Sequence, residues 1–385
     1  MALAELRWPL DPALAATRDE TTIARAVYAT PLRTDAGGRV APGLCTGWSA
    51  SSSFRVWRFT GCRAAPAIAA ELRRVARMDA SPARWIFAAA RAIASPAPNT
   101  VLVRLRFPWR RFPYALTTVA AAPRHVAGSF RVVHASAARL VLRAAGKTLV
   151  FRRLSGLAAV RAFRRGAVDE APVPLGDIGR FSADVELHVR TLLAQDLVTF
   201  RSGAVAAEVR RAYWDTANRA DYQALVAENR ASAALGIAGV EPKPDPAAFR
   251  RAIHRIPSLP AVEVRITVPD DPVLRYGANL LYGQWREAGL GPKLVSGKSS
   301  ADADLRRVLA VYPQDEALLG ALGLPTPLGA ADQRSAFDRI DEQLRTAATV
   351  VPVCWVVDAR LVSPALRGWR EDLLGDVDYA SVTLR

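Results

Sequence analysis

The sequence predicts an α/β protein divided into two lobes, and three observations carry that expectation. The first is the stretch 262–295, where Val262, Val264, Ile266 and Val268 alternate with polar residues as a strand requires. Pro269-Asp270-Asp271-Pro272 stops that strand and places a carboxylate to cap a helix. Leu274, Ala278, Leu281, Trp285 and Ala288 then recur at three- and four-residue steps, Gly289 ends the helix, and Lys293-Leu294-Val295 restarts an extended run. Strand, helix and strand in so short a span make a βαβ unit with a right-handed crossover. The second observation is length, since 385 residues exceed one ordinary core and suit two domains. The third is composition: 51% hydrophobic residues exclude disorder, while 26 prolines and 24 glycines imply many turns.

Taken in order, Leu10-Asp11-Pro12 opens an irregular loop that runs to Asp19. A helix is expected over 21–29, with Ile23, Ala26 and Val27 inward, followed by a short strand and a turn at 35–38. A strand through Phe54, Val56 and Trp57 comes next, then helices over 64–78 and from Ser81-Pro82 onward, and a strand over 99–105. Further expected elements are a strand over 148–152, a helix over 157–163, a helix from 207 towards Arg219, the βαβ unit and a strand over 351–362.

The order of these segments resembles a bacterial family 5 extracellular solute-binding protein, the oligopeptide, dipeptide and nickel type of receptor serving ABC importers. The opening "LDP, helix, Tyr, Pro-Leu, Asp-x-x-Gly, Val-x-Pro-x-Leu, x-x-Trp, aromatic-rich strand" carries the first part of the likeness. Gly128 and Phe130 stand where that family has Gly-Thr-Gly-Pro-Tyr, and Gly166-Ala167-Val168-Asp169-Glu170-Ala171 is similar to its Gly-x-Val-Asp-x-Ala. The most specific match is Val351-Pro352-Val353-Cys354-Trp355, running on to Asp358-Ala359-Arg360-Leu361-Val362. The resemblance spans essentially the whole chain. It implies a type II periplasmic-binding-protein-like fold: two α/β lobes, a hinge and a trimmed small third subdomain. Lobe I is expected over 1–200, with the small subdomain at about 39–114, lobe II over 201–357, and 358–385 returning to lobe I. The implied function is the substrate-binding component of an ABC importer, holding a small solute between the lobes. The alternative is a transport-inactive relative acting as a solute sensor or interaction module. The implied partners are the solute and the permease and ATPase subunits, with membrane contact only through a permease or a lost lipid anchor. A monomer outside the membrane, periplasmic or extracellular, is expected, although the start of the chain as written carries no signal segment.

Two departures bear on the ligand. After Trp57-Arg58-Phe59 the chain passes directly to its helix, which trims the small subdomain. Peptide receptors carry Gly-Trp-x-Ala-Asp-Tyr-x-Asp-Pro, whose first Asp holds the peptide amino terminus; here Val308 replaces the Trp and Val311 that Asp, while Tyr312 survives. A carboxylate partner for a desolvated ammonium contributes several kcal/mol, so capture of peptides by their amino terminus is not expected. The candidate ligand-binding residues are Tyr312, Trp355 on its strand, either as cleft wall or as core, and Arg18 in the loop after Pro12. Arg18 would make the cleft electropositive and favour anionic or neutral solutes, or else it is simply solvated.

The net charge of +16 does not point to nucleic acid. Lys147, Lys243, Lys293 and Lys298 are the only lysines, and the arginines are scattered pairs with no basic stripe interleaved by aromatics. Cys45 and Cys62 flank a hairpin-like segment and form either a disulfide or two buried thiols, and Cys354 stands apart. His125, His134, His188 and His254 have no metal or triad spacing. The segment Gly291 to Ser299 misses the phosphate-loop spacing, and Asp169-Glu170, Asp270-Asp271 and Asp302/Asp304 suit turns and caps. No catalytic residues, metal or cofactor are expected, and the chain does not read as an enzyme.

Overall fold

The computed structural model describes residues 1–35, 37–228, 230, 232–237, 246–296, 301–324 and 326–385. Lys243 and the Gly297-Lys298-Ser299 part of the rejected phosphate loop lie outside the described residues, as does Ala36 in the expected turn.

A six-stranded sheet runs through the molecule in the order Glu170–Pro172, Val350–Val362, Leu187–Phe200, Ala303–Leu309, Glu263–Thr267 and Gly291–Val295. Its spine is an antiparallel pair of long strands, Leu187–Phe200 and Val350–Val362, whose register shifts between Thr191 and Gln195 and again between Asp196 and Leu197. At one end lies the expected βαβ unit, with Glu263–Thr267 and Gly291–Val295 parallel and joined by the helix Pro272–Glu287. Asp271 caps that helix by accepting the Leu274 N–H at 2.9 Å, and Gly289 leaves it at φ 91°. The apolar stripe read from the sequence is the buried one: Leu274, Ala278, Leu281 and Trp285 face the core, and Trp285 Nε1 donates to the Tyr213 carbonyl at 3.1 Å. An indole buried with its donor satisfied contributes its full apolar area without an orphaned polar group.

At the other end, a four-stranded sheet orders Ala2–Leu3, Lys147–Arg153, Arg139–Ala144 and Arg131–Ala135. Leu3, Ile23, Leu140, Leu142 and Phe151 form its core together with Val377 and Tyr379 from the last part of the chain. Residues 366–384 thus return to the N-terminal elements rather than to the βαβ unit. A second four-stranded sheet, Gly47–Ala50, Val56–Thr60, Thr100–Leu105 and Ala90–Ala97, is covered by the helix Ala65–Val75. Cys45 and Cys62 are bonded to each other at the edge of this unit, and Cys354 is a buried free thiol.

Several expectations shift. The first helix spans Arg18–Val27 and starts before residue 21, because Thr17 and Glu20 form a reciprocal capping box. Phe54 lies at φ 53° in the turn before its strand. The helix expected from 207 towards 219 is two helices, Ala207–Thr216 and Arg219–Val226, the second capped by Asn218 accepting from the Asp221 N–H. The strand Leu187–Phe200 and the helix Gln333–Ala347 were not anticipated.

Candidate functional site

A cavity of about 1340 Å³ opens where the N-terminal core, the edge of the disulfide-bonded unit and the segment after Ala303–Leu309 meet. Its walls are the end of the first helix, the hairpin loop around Arg33 and Asp35, Gly128 to Phe130, His188 to Arg190, Pro313, and the C-terminal stretch 368–381. Gly128 sits here for steric reasons. It donates to the Val27 carbonyl at 2.7 Å, and a Cβ on it would stand 2.8 Å from the Tyr28 backbone carbon. Only glycine lets this segment dock flush against the helix end.

The C-terminal wall is a tight turn. Asp372 Oδ1 accepts the N–H groups of Leu374 and Asp376 at 2.8 and 3.0 Å, and Gly375 supplies the left-handed φ of 81°. Burial, with Asp376 adjacent, pushes the Asp372 carboxyl up to about 6. Behind the turn lies a buried ionic network. Glu170 pairs with Arg360 and accepts from Trp369 Nε1 at 3.0 Å and Tyr379 Oη at 2.9 Å. Arg360 Nε donates to Asp358 at 2.8 Å. Arg18 donates to Glu371 at 2.9 Å, and its Nε lies 2.9 Å from Asp358 without hydrogen-bond alignment. Three carboxylates therefore share two guanidiniums, and burial together with Glu371 and Glu170 raises the Asp358 pKa well above its ordinary range.

Arg18 is thus not a solvated cleft residue. It begins a helix, its charge is taken by two acids, and the Gly375 turn covers it. It does not line the cavity.

Tyr312 is fully buried away from the cavity, in an aromatic contact with Trp85 and Trp109 of the disulfide-bonded unit. The ring centroids of Trp85 and Trp109 lie 6.0 and 6.4 Å from that of Tyr312. Gly320 makes room for this packing, since a Cβ there would lie 2.3 Å from the Trp85 ring. Within the same contact Glu316 is fully buried, and neither carboxyl oxygen has a hydrogen-bond partner. Arg111 Nη1 is 3.7 Å away, but burial outweighs it and pushes the carboxyl up to about 7. Val311 is partly buried against the same core and offers no charge.

Trp355 is half-buried between two apolar cores opposite Gln195 and is not a cavity wall. None of the three residues expected to bind ligand therefore lies on the cavity surface. His188 does, packing tilted at 55° against Trp369 with the ring centroids 4.9 Å apart. Among the described residues, no group of three or more His, Cys, Asp or Glu side chains could hold a metal ion.

The cavity carries five arginines, Arg25, Arg33, Arg63, Arg190 and Arg370, and five acids, Asp35, Glu371, Asp372, Asp376 and Asp378. By formal charge it is balanced, which corrects the expectation of an electropositive cleft resting on Arg18. The useful signal was the run from Trp369 to Tyr379, where charged and aromatic residues crowd a short segment near the chain end.

No family model and no curated protein matches this chain. Solved structures do. The murein tripeptide binding protein MppA of Escherichia coli superposes with a TM-score of 0.82 at 15% identity, over 97% of this chain and 95% of its own. Haemophilus influenzae OppA, complexed with the peptide RPPGFSPFR, gives 0.82 at 13% identity, covering 97% and 96%. The pheromone receptor PrgZ, solved for its mode of peptide binding, gives 0.85 at 14% identity, covering 100% and 99%. Identities this low establish the fold alone. The chain has the type II binding-protein architecture of these receptors.

Proposed function

We propose that this chain, sharing the fold of solute receptors, is the substrate-binding component of an ABC importer and captures a small solute in the cavity described above. The observation that carries this reading is the placement of the cavity. It lies beside the exposed end of the long strand pair, lined by elements of 1–200 and 358–385 from separate apolar cores, with Pro313 brought to it from the 201–357 half. In this reading lobe I comprises 1–200 and 358–385, with the small subdomain at about 39–114, and lobe II comprises 201–357. The two long strands serve as the hinge, and their register shifts at 191–197 give the bend a place to occur. The permease and ATPase are then the partners, and the protein works outside the membrane. The Cys45–Cys62 disulfide suits an oxidising compartment. No helix among the described residues is long and apolar enough to cross a membrane.

With Val311 in an apolar contact, peptides are not held here by their amino terminus at that position. The neighbours named above are binding proteins, and among the described residues no cavity serine or threonine is hydrogen-bonded to His188 or to a cavity carboxylate, which favours capture over catalysis. The test is a thermal-shift screen of the full chain against a broad solute library, followed by calorimetry on the hits. A single-site solute at micromolar affinity supports the reading. A chain that no solute stabilises, under conditions where a known receptor responds, contradicts it.

A further inference from the structure

The formal balance of charge in the cavity conceals an asymmetry in what is already engaged. Three of the five acids hold a cation, and Asp372 and Asp378 accept backbone N–H groups. Glu371 receives the buried Arg18 at 2.9 Å, and Asp376 holds Arg25 and accepts the Thr21 hydroxyl at 3.0 Å. Asp35 is paired with Arg39 at 3.0 Å and accepts two loop N–H groups. Asp372 is spent on the turn, and Asp378 accepts the Ala380 N–H at 3.1 Å. Of the cations, only Arg25 is consumed in this way. Arg33 donates to the Pro42 carbonyl at 2.9 Å and Arg190 to the Glu371 carbonyl at 2.7 Å, so neither loses its charge to a carboxylate. Arg63 and Arg370 make no ion pair among the described residues, and all four side chains are exposed. Among the described residues the cavity therefore presents four guanidiniums without carboxylate partners against two acids, Asp372 and Asp378, without a cation.

Their placement adds to this. Arg33 comes from the hairpin strand Leu32–Thr34, Arg63 from the edge of the disulfide-bonded unit, Arg190 from the long strand, and Arg370 from the C-terminal stretch. The two carbonyl contacts orient Arg33 and Arg190, and among the described residues no carboxylate takes their remaining guanidinium N–H groups. Guanidinium is the side chain suited to fork-like recognition of carboxylate and phosphate, and cations on several walls suit a solute with more than one anionic group.

Resting on the solute-capture reading, we infer that the cavity is built for a small solute bearing two or more carboxylate or phosphate groups, held by Arg33, Arg63, Arg190 and Arg370. Cationic solutes are disfavoured because, among the described residues, only Asp372 and Asp378 face them without a cation of their own, against four guanidiniums without a carboxylate.

The experiment is calorimetry on the full chain with four probes: citrate, inorganic pyrophosphate, spermidine and trialanine. Arg63→Gln, Arg370→Gln and their double variant are compared with Arg131→Gln, which removes equal charge from an exposed strand outside the cavity. Citrate or pyrophosphate should bind, and the stronger of the two tells carboxylate from phosphate recognition. Affinity should fall roughly tenfold for each arginine removed, the size of a lost hydrogen bond to a charged group. It should also weaken at about 0.3 M salt, while Arg131→Gln leaves it unchanged. The inference is overturned if neither anion binds, if the double variant binds as tightly as the parent, or if Arg131→Gln weakens binding equally. If spermidine or trialanine binds in place of the anions, the inference falls while solute capture stands. If, in addition, no library solute binds, both fall.

Discussion

Replacing Glu316 by glutamine should stabilise the protein by an amount that is absent near pH 4 and grows as the pH rises towards 7. The side chain is fully buried with neither oxygen hydrogen-bonded, inside the Trp85–Trp109–Tyr312 contact. Burial raises its carboxyl from the usual 4.5 to about 7, with Arg111 too distant at 3.7 Å to compensate. In the unfolded chain the group loses its proton near its ordinary value. Between that pH and 7 the folded state therefore binds more protons, and stability falls as pH rises. At about 1.4 kcal/mol per pH unit, the gap between 4.5 and about 7 converts to about 3 kcal/mol, fully expressed above pH 8 and absent near pH 4. Glutamine keeps the shape and cannot ionise, so Glu316→Gln should gain about 3 kcal/mol at pH 8.5 and nothing at pH 4.5. Urea unfolding at the two pH values, with the slope checked for constancy, measures this directly. Equal stability of the two proteins at pH 8.5, or a gain of the same size at both pH values, would refute the reasoning.

Other outcomes follow from the same geometry. Reducing the Cys45–Cys62 bond, which spans 17 residues, should lower stability by about 3 kcal/mol, read as a fall in the urea midpoint on adding reductant; an unchanged midpoint would contradict it. Arg360→Leu leaves Glu170 buried against Trp369 and Tyr379 without its cation and should cost about 3–5 kcal/mol, a loss below 1 kcal/mol counting against the network. Cys354 is buried with its thiol pushed up to about 12, so it should react with a thiol reagent at pH 8 only after unfolding. Prompt labelling of the native chain would show that this strand opens.

What the sequence disclosed was local. The βαβ unit was legible because its strand alternation, its capping Asp271, its helical stripe and Gly289 all lie within a few residues of one another. The start of the first helix was equally readable from Thr17 and Glu20, but the loop signal of Leu10-Asp11-Pro12 masked it. The strand Leu187–Phe200 was not legible. It buries Gln195 and Asp196, and their partners, the Gly236 carbonyl, Tyr222 and Arg307, are supplied from 26 to 111 residues away. Two buried polar residues in mid-strand break the pattern on which strand recognition depends. The site failed to show for the same reason. Arg18 reads as a free cation until Glu371, 353 residues later, folds over it. Tyr312 reads as a ligand contact until Trp85 and Trp109 close on it. The cavity arginines Arg33, Arg63, Arg190 and Arg370 share no motif, because four separate segments deliver them.

Small-angle scattering on the full chain, with and without the tightest solute from the screen, tests the central claim of two lobes closing on a ligand. A compact chain of 385 residues should have a radius of gyration of about 21 Å. Saturating solute should bring the protein to about that value from a free state at least about 1 Å larger, as hinge bending in the long strand pair requires. A radius of gyration that stays constant from solute-free to saturated protein would contradict the account.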